Sequence, residues 1–220
     1  MRLFKILNLI FFTCFVIISC SKDPETIIET VTVAADPITV TVEADPYADS
    51  TLEGKISSDK ALSADKVWLL KGRVIVESGA TLTIPAGTVI KAEPGSGADA
   101  STLIIARGGK IDAKGTAAKP IIMTSKSDNI KADGTYPASG KSLTVDARGL
   151  WGGLLVLGKA PSSFKGDVTE LQIEGIPVTE TAGLYGGSDA ADDSGVMPVS
   201  YTHLRAHETS LHLVCRLLLE

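Results

Sequence analysis

The sequence predicts an all-β protein, a right-handed parallel β-helix or solenoid, and three observations carry that prediction. Residues 73–92, RVIVESGATLTIPAGTVIKA, place apolar side chains in alternation at Val74 and Val76 and again at Leu82 and Ile84, with Gly79 and Gly87 between them. That order is strand, glycine turn, strand, glycine turn. The pattern then recurs 29 positions on in LIIARGGKIDAKGT, where Leu103 and Ile105 stand for Val74 and Val76, Gly108 for Gly79 and Ile111 for Leu82. A repeat of this length, built of short strands with no helical period, is that of a solenoid coil. Each unit buries its apolar face only by stacking on the next, about 4.8 Å further along an axis.

In chain order, residues 1–19 read as a leader: Arg2 and Lys5 are basic, and an apolar run from Leu7 to Ile18 is too short for a spanning helix. The run ends Ile17-Ile18-Ser19-Cys20, which resembles the lipobox of bacterial lipoproteins, so Cys20 is the expected lipidation site and outer-membrane lipid the expected anchor. The following Ser-Lys-Asp-Pro-Glu resembles the start that routes some envelope lipoproteins to the cell surface. An outer-membrane, surface-facing location is therefore expected. Residues 20–52, rich in Thr, Val, Asp and Pro with Ala-Asp-Pro twice, read as a tether, although their Val/Thr alternation also suits an edge strand against a partner.

Residues 53–198 are the expected β-helix. Residues 66–70, around Trp68, supply its first strand or a lid, and coils follow at 73–92 and 102–125. Residues 129–148 are polar, with Gly134, Pro137 and Gly140, and are expected to protrude as a long loop of the kind that carries binding function in solenoids. Repeat grammar returns in GLWGGLLVL at 149–157 and ELQIEGI at 170–176. All 21 glycines lie between Gly54 and Gly195, which assigns them to turns rather than to linkers.

The blocks GATLTIPAGTVIKA, GTAAKPIIMTS, ARGLWGGLLVLGKAP and IEGIP followed by GLYGGSDAADDSG resemble a family of Gram-negative envelope and secreted repeat proteins of parallel β-helix type, generally without assigned activity. In that family the block ending Asp-Asp-Ser-Gly leads into further coils, so the chain is expected to hold the N-terminal part of a solenoid truncated at its C-terminal end. Residues 199–220 share no period with what precedes them. Back-translated, they resemble a transposase-type sequencing adapter, and are read as a non-native tail. The three His (203, 207, 212) and Cys215 fall in this tail, so the zinc site their spacing suggests is set aside.

Between Cys20 and Pro198 there remain one Cys, no His, and 17 Lys plus Arg against 24 Asp plus Glu, a net charge of −7. The acidic balance argues against nucleic acid as a partner, and one cysteine excludes an internal disulfide. A Ser-His or Cys-His nucleophile has no histidine to use. Neither Gly95-Ser96-Gly97 nor Gly152-Gly153 is followed by the Lys and helix of a phosphate loop. Carboxylate chemistry is what is left: Asp189, Asp192 and Asp193 cluster in one loop and suit a hard cation such as calcium, while turn capping explains the same residues. Trp68, Trp151 and Tyr185 are candidates for stacking on sugar rings, against the alternative that they fill the core. Arg107, Arg148 and Lys159 are the basic residues near strand ends that a lyase would use as proton acceptor. Two functions follow. One is an envelope lipoprotein whose β-helix is a structural or binding surface for a polysaccharide or envelope protein, with no catalytic residue assigned. The other is a β-helix polysaccharide lyase or hydrolase working through carboxylates and calcium.

Overall fold

The structure is a computed structural model that describes residues 17–18, 26–33, 36–43, 45–144, 146–163 and 168–202. It divides into two units, Met1–Ala48 and Asp49–Glu220. In the first, β1 (Ile17–Ile18), β2 (Thr26–Val33) and β3 (Asp36–Glu43) form an antiparallel sheet in the order β1-β2-β3, with β2 and β3 paired from Thr26↔Glu43 to Val33↔Asp36. Within the stretch expected as a tether, residues 20–52, the Val/Thr alternation is thus paired as a hairpin. Two eight-residue runs dominated by Thr, Val and Ile favour strand pairing, and Pro37 is tolerated because it sits second in an edge strand. Cys20 and residues 1–16 lie outside the described residues.

The second unit is the parallel β-helix. Its strands are β4 (Thr51–Ile56), β5 (Lys60–Ala61), β6 (Val67–Val76), β7 (Thr81–Pro85), β8 (Val89–Ala92), β9 (Thr102–Ile105), β10 (Lys110–Lys114), β11 (Ile121–Ser125), β12 (Gly153–Val156), β13 (Leu171–Gln172), β14 (Leu184–Tyr185), β15 (Gly195–Val196) and β16 (Ser200–Thr202). Apart from the antiparallel pair β13–β14, every pairing in this unit is parallel. Three faces result. Face one stacks the second half of β4, the second half of β6, β9 and β12; face two stacks β5, β7, β10 and β15; face three stacks the first half of β4, the first half of β6, β8, β11 and β16. The coils expected at 73–92 and 102–125 are therefore the second and third of four rungs. The segment around Trp68 closes the first rung rather than opening the helix, and it runs on into the second through Lys71-Gly72, where Gly72 takes φ +61°. The first strand is β4, upstream of where it was expected.

Side chains stack in columns inside. Leu82 pairs with Ile111, Val74 with Leu103 and Leu154, and Trp68 with Ile90 and Met123, all in one apolar cluster. Gly79 and Gly108 hold equivalent turns, at φ +88° and +78°, and Gly79 N–H donates to Gly108 C=O at 2.9 Å. A β-carbon is disfavoured at both positions, and the repeat of glycine at this spacing reflects that.

The 129–148 segment, expected to protrude as a long loop, is buried only at its root: Ile130 and the preceding Asp128 are buried, Lys91 Nζ donates to the Asp128 carbonyl at 2.8 Å, and residues 131–144 are half-buried to exposed. Two expectations are corrected. ELQIEGI does not form a coil strand; Leu171–Gln172 pairs antiparallel with Leu184–Tyr185 inside an excursion, residues 157–194, that interrupts the fourth rung between β12 and β15. Repeat geometry also passes residue 198, because Ser200–Thr202 pairs in parallel with Ile121–Met123. Ser-Tyr-Thr is a strand-compatible triplet, whatever its origin. Residues 203–220 lie outside the described residues.

Candidate functional site

Face one, unlike face two, is apolar on both sides in its second, third and fourth rungs. Val74 and Val76, like Leu103 and Ile105 above them, point inward, so the residues between them, Ile75 and Ile104, point outward; both are buried all the same. What buries them is the excursion. Ile173, Ile176, Ala182 and Tyr185 pack with Ile75, Ile104, Ala106, Leu155 and Leu157 in a second apolar cluster outside the coil.

Beside this cover lies a groove. A cleft of about 790 Å3 is lined on the coil side by Lys55, Ile75, Glu77 and Arg107 and on the excursion side by Lys159, Glu170, Glu180 and Asp189. A second cleft of about 490 Å3, toward Glu53, Lys71 and Arg73, shares Lys55, Ile75 and Glu180 with the first. The two form one track across successive rungs.

Charge in the track is largely paired. Lys55 Nζ lies 3.1 Å from Glu77 and Lys71 Nζ 3.2 Å from Glu53. Arg107 forms an ion pair with Glu170 and also donates to the Gly186 carbonyl at 3.2 Å. The hydrogen bond to Glu77, with the charges of Glu77 and Glu180 behind it, holds the Lys55 ammonium above the usual lysine range. A lysine held this way keeps its proton, the reverse of what a proton acceptor needs. Lys159 crosses Gly108 beside Ser78: a β-carbon on Gly108 would lie 2.5 Å from Lys159 Nζ and 2.6 Å from Ser78 Oγ. Of the three basic candidates, then, Arg107 and Lys159 reach the groove, whereas Arg148 is an exposed residue 3.7 Å from Asp146 and does not line either cleft.

Asp189, Asp192 and Asp193 are not brought together as a calcium site, and among the described residues no group of three acidic, His or Cys side chains is arranged to hold a metal ion. The physical reason is turn chemistry. Asp189 Oδ1 accepts from Ala191 N–H at 3.0 Å, Asp192 Oδ2 from Lys159 N–H at 2.8 Å, and Asp193 Oδ1 from Gly195 N–H at 2.9 Å while its other oxygen meets Lys110 Nζ at 3.0 Å. The Gly195 and Lys110 contacts also pull the Asp193 carboxyl below the ordinary range.

Two of the three stacking candidates are corrected likewise. Trp68 and Trp151 are buried in the coil interior at 7% and 4% exposure, so neither presents a ring face to a sugar. Trp68 Nε1 donates to the Ser63 carbonyl at 2.9 Å, and Lys66 Nζ sits 5.2 Å from its ring centroid. Tyr185, in the excursion itself, is half-buried against the second apolar cluster.

Sequence reading missed Glu77, Glu170 and Glu180. Glu170 stands 63 residues from Arg107, and no local pattern announces a pairing at that distance. It also missed a buried polar node on face three. There Asp128 accepts from Thr124 Oγ1 at 2.9 Å and from Tyr136 OH at 3.4 Å, beneath Lys91. Burial pushes the Lys91 ammonium below its usual range, with Asp128 opposing, and pushes the Tyr136 hydroxyl up.

Residues 54–209 match a family model described as a pectate-lyase like beta helix domain, a span that runs into the first part of the segment read above as non-native. Neither the curated proteins nor the solved structures contain a match.

Proposed function

The chain belongs to the family of the pectate-lyase like beta helix domain, and from that premise we propose that it is a cell-envelope lipoprotein, anchored through Cys20, whose face-one groove is a non-catalytic binding surface for a polysaccharide or a neighbouring envelope protein. The observation that carries this reading is the state of the charges in the groove: Lys55, Lys71 and Arg107 each face a carboxylate on an adjacent rung or on the excursion. A paired ladder of this kind orients a long ligand across rungs, whereas proton abstraction asks for a base kept short of its proton. The basic leader followed by Ser19-Cys20 supports the anchor, and stable anchoring by lipid takes more than one acyl chain or a second signal.

Co-sedimentation of the full-length Cys20→Ala chain with isolated envelope fragments tests the groove apart from the anchor. Saturable sedimentation, weakened by Lys55→Glu, with no new reducing or unsaturated sugar ends in the supernatant, is the expected result. Release of such ends overturns the non-catalytic reading and favours the lyase; failure to sediment at all overturns the binding surface.

A further inference from the structure

Two four-residue turns stack at the corner between faces one and two. Ala80 N–H closes the first by donating to the Glu77 carbonyl at 3.1 Å, and Gly109 N–H closes the second by donating to the Ala106 carbonyl at 2.8 Å. Gly79 and Gly108 hold the same place in the two turns, and Gly79 N–H donates to the Gly108 carbonyl of the next rung at 2.9 Å. The equivalent Gly108 N–H has no acceptor among the described residues. The fourth rung lays no third turn over it, because the chain leaves the coil after β12.

What stands over Gly108 instead is Lys159. Its backbone is fixed on both sides: the N–H donates to Asp192 Oδ2 at 2.8 Å and the carbonyl accepts from Asp189 N–H at 3.2 Å. Its side chain crosses the glycine, where a β-carbon would lie 2.5 Å from Lys159 Nζ and 2.6 Å from Ser78 Oγ. Ammonium and hydroxyl thus face the same space, close enough for one ligand group to bridge them, and among the described residues neither has a hydrogen-bond or ion-pair partner. This sets Lys159 apart from the other cations of the cleft, since Lys55 is paired with Glu77 and Arg107 with Glu170. The remaining carboxylates of the cleft are engaged elsewhere: Asp189 turns one oxygen onto Ala191 N–H of its own loop at 3.0 Å, and Glu180 acts on Lys55.

Three donors from three chain segments therefore meet at one corner of the cleft: the Ser78 hydroxyl from the second-rung turn, the Gly108 N–H from the third, and the Lys159 ammonium from the excursion. An ammonium and an amide N–H donate and never accept, so the group that satisfies them is an anion rich in acceptors. A carboxylate offers two oxygens in one plane, whereas a phosphate or sulfate monoester offers three, spread so that donors from three sides can meet them. We propose that this corner is a subsite for a phosphate or sulfate monoester carried by the ligand of the groove, held by Lys159 Nζ, Ser78 Oγ and Gly108 N–H. This deepens the binding-surface reading and rests on it, narrowing the ligand to an envelope polysaccharide that bears such esters.

Amide NMR on the full-length chain reads the corner directly, with Gly79, whose N–H is already bonded, as the internal control. Titration with glucose 6-phosphate and with glucose 6-sulfate, at ionic strength held constant with sodium chloride, should shift the Gly108 amide saturably and leave Gly79 in place. A response to one ester alone supports the subsite and tells the two sources apart. Lys159→Gln should weaken the binding by about tenfold or more, the scale of one hydrogen bond to a charged group, and Ser78→Ala by less. Arg148→Gln, outside both clefts, should change nothing. Inorganic phosphate should bind more weakly than the sugar ester; equal affinity would mean that the corner takes a free anion and would overturn the proposal. Glucuronate is the carboxylate control, and a Gly108 shift as saturable as that of the monoesters would overturn the choice of ligand class. Equal shifts at Gly79 and Gly108, or none at either, would remove the subsite. If Lys159→Gln fails to fold, acetylation of the unaltered chain, resolved lysine by lysine, decides instead: protection of Lys159 by glucose 6-phosphate with none at the exposed Lys114 supports the subsite, and even protection of both refutes it. Envelope co-sedimentation reads the groove as a whole and these titrations only its corner, so fragments bound without a Gly108 shift would sink the subsite and leave the binding surface standing.

Discussion

Gly109→Ala is expected to cost more than Gly79→Ala at the corner between faces one and two, and the reason lies in what the new carbon meets. At Gly79, φ is +88° and no atom lies within 4 Å of an added β-carbon, so the cost is conformational, about 1–2 kcal/mol for a left-handed residue. At Gly109 the φ angle is not left-handed, but the carbon would sit 2.5 Å from the Val76 carbonyl oxygen and 3.0 Å from that of Glu77. Both oxygens are backbone, and the Val76 oxygen already accepts from Ala106 N–H at 3.0 Å, a bond between the second and third rungs. Relief requires the rungs to part by several tenths of an ångström. That combines an overpacking cost of about 1–3 kcal/mol with a weakened buried hydrogen bond of about 1 kcal/mol, for a total of roughly 3 kcal/mol. For a domain of this size each kcal/mol moves the melting temperature by about 2–4 °C, so Gly79→Ala should lower it by roughly 2–8 °C and Gly109→Ala by roughly 6–12 °C. Thermal melts of the two full-length variants followed by circular dichroism give the comparison. A Gly109→Ala protein that melts at or above the Gly79→Ala protein would show that the rungs are not packed against each other as described.

Leu82→Ala, which empties a fully buried position stacked on Ile111, should cost about 2–5 kcal/mol, whereas Thr83→Ala on the outer side of the same strand should stay within about 0.5 kcal/mol; denaturant titration of both, with near-equal losses counting against the register, checks this. Lys91 gives a pH dependence. Its folded pKa is lowered by burial, so the fold sheds this proton before the unfolded chain does, and stability relative to a Lys91→Met variant should rise as pH climbs toward the ordinary lysine value of 10.5. Tyr136, raised by burial and by Asp128, works in the opposite direction in both proteins and cancels in that difference; parallel melting curves for wild type and variant between pH 7 and 10.5 would refute the assignment. Cys20→Ala should move the chain from the membrane fraction to the soluble fraction of Gram-negative cells, and retention in the membrane would show that the anchor lies elsewhere.

How much of this was legible beforehand depends on whether a partner lies one coil away or far along the chain. The stacking of Leu82 on Ile111 and the turns at Gly79 and Gly108 follow from a 29-residue spacing that any reader of the sequence meets twice. Arg107 against Glu170, and Lys91 under Asp128, do not repeat, because each joins a coil to an insertion that has no counterpart in the neighbouring coils. The loss of the calcium trio has a related cause. Asp and Ser at one- and two-residue spacing are as good at capping a turn as at holding a cation, and composition alone does not separate the two. The hairpin at Thr26–Glu43 is ambiguous for a different reason: its Thr, Val and Ile favour strand pairing while the Ala-Asp-Pro triplets on its second strand and beyond it disfavour a continuous ladder.

The covered face was nevertheless written in the strands, in the distinction between alternating and continuous apolar runs. Face two reads Thr-Leu-Thr-Ile at 81–84 and Lys-Ile-Asp-Ala at 110–113, one side apolar and one side polar, and its outer side chains are less buried than those pointing in. Face one reads Val-Ile-Val at 74–76, Leu-Ile-Ile at 103–105 and Leu-Leu-Val at 154–156, with no polar side in the second, third or fourth rung. A strand apolar on both sides is stable only when both sides are dry. The coil dries one side by closing on itself, so something else must dry the other, and the excursion that leaves directly after Val156 is placed to do so. The same argument ranks the faces for function. A face-two surface meets water along its length and needs no cover, while a face-one groove exists only while the excursion forms its second wall.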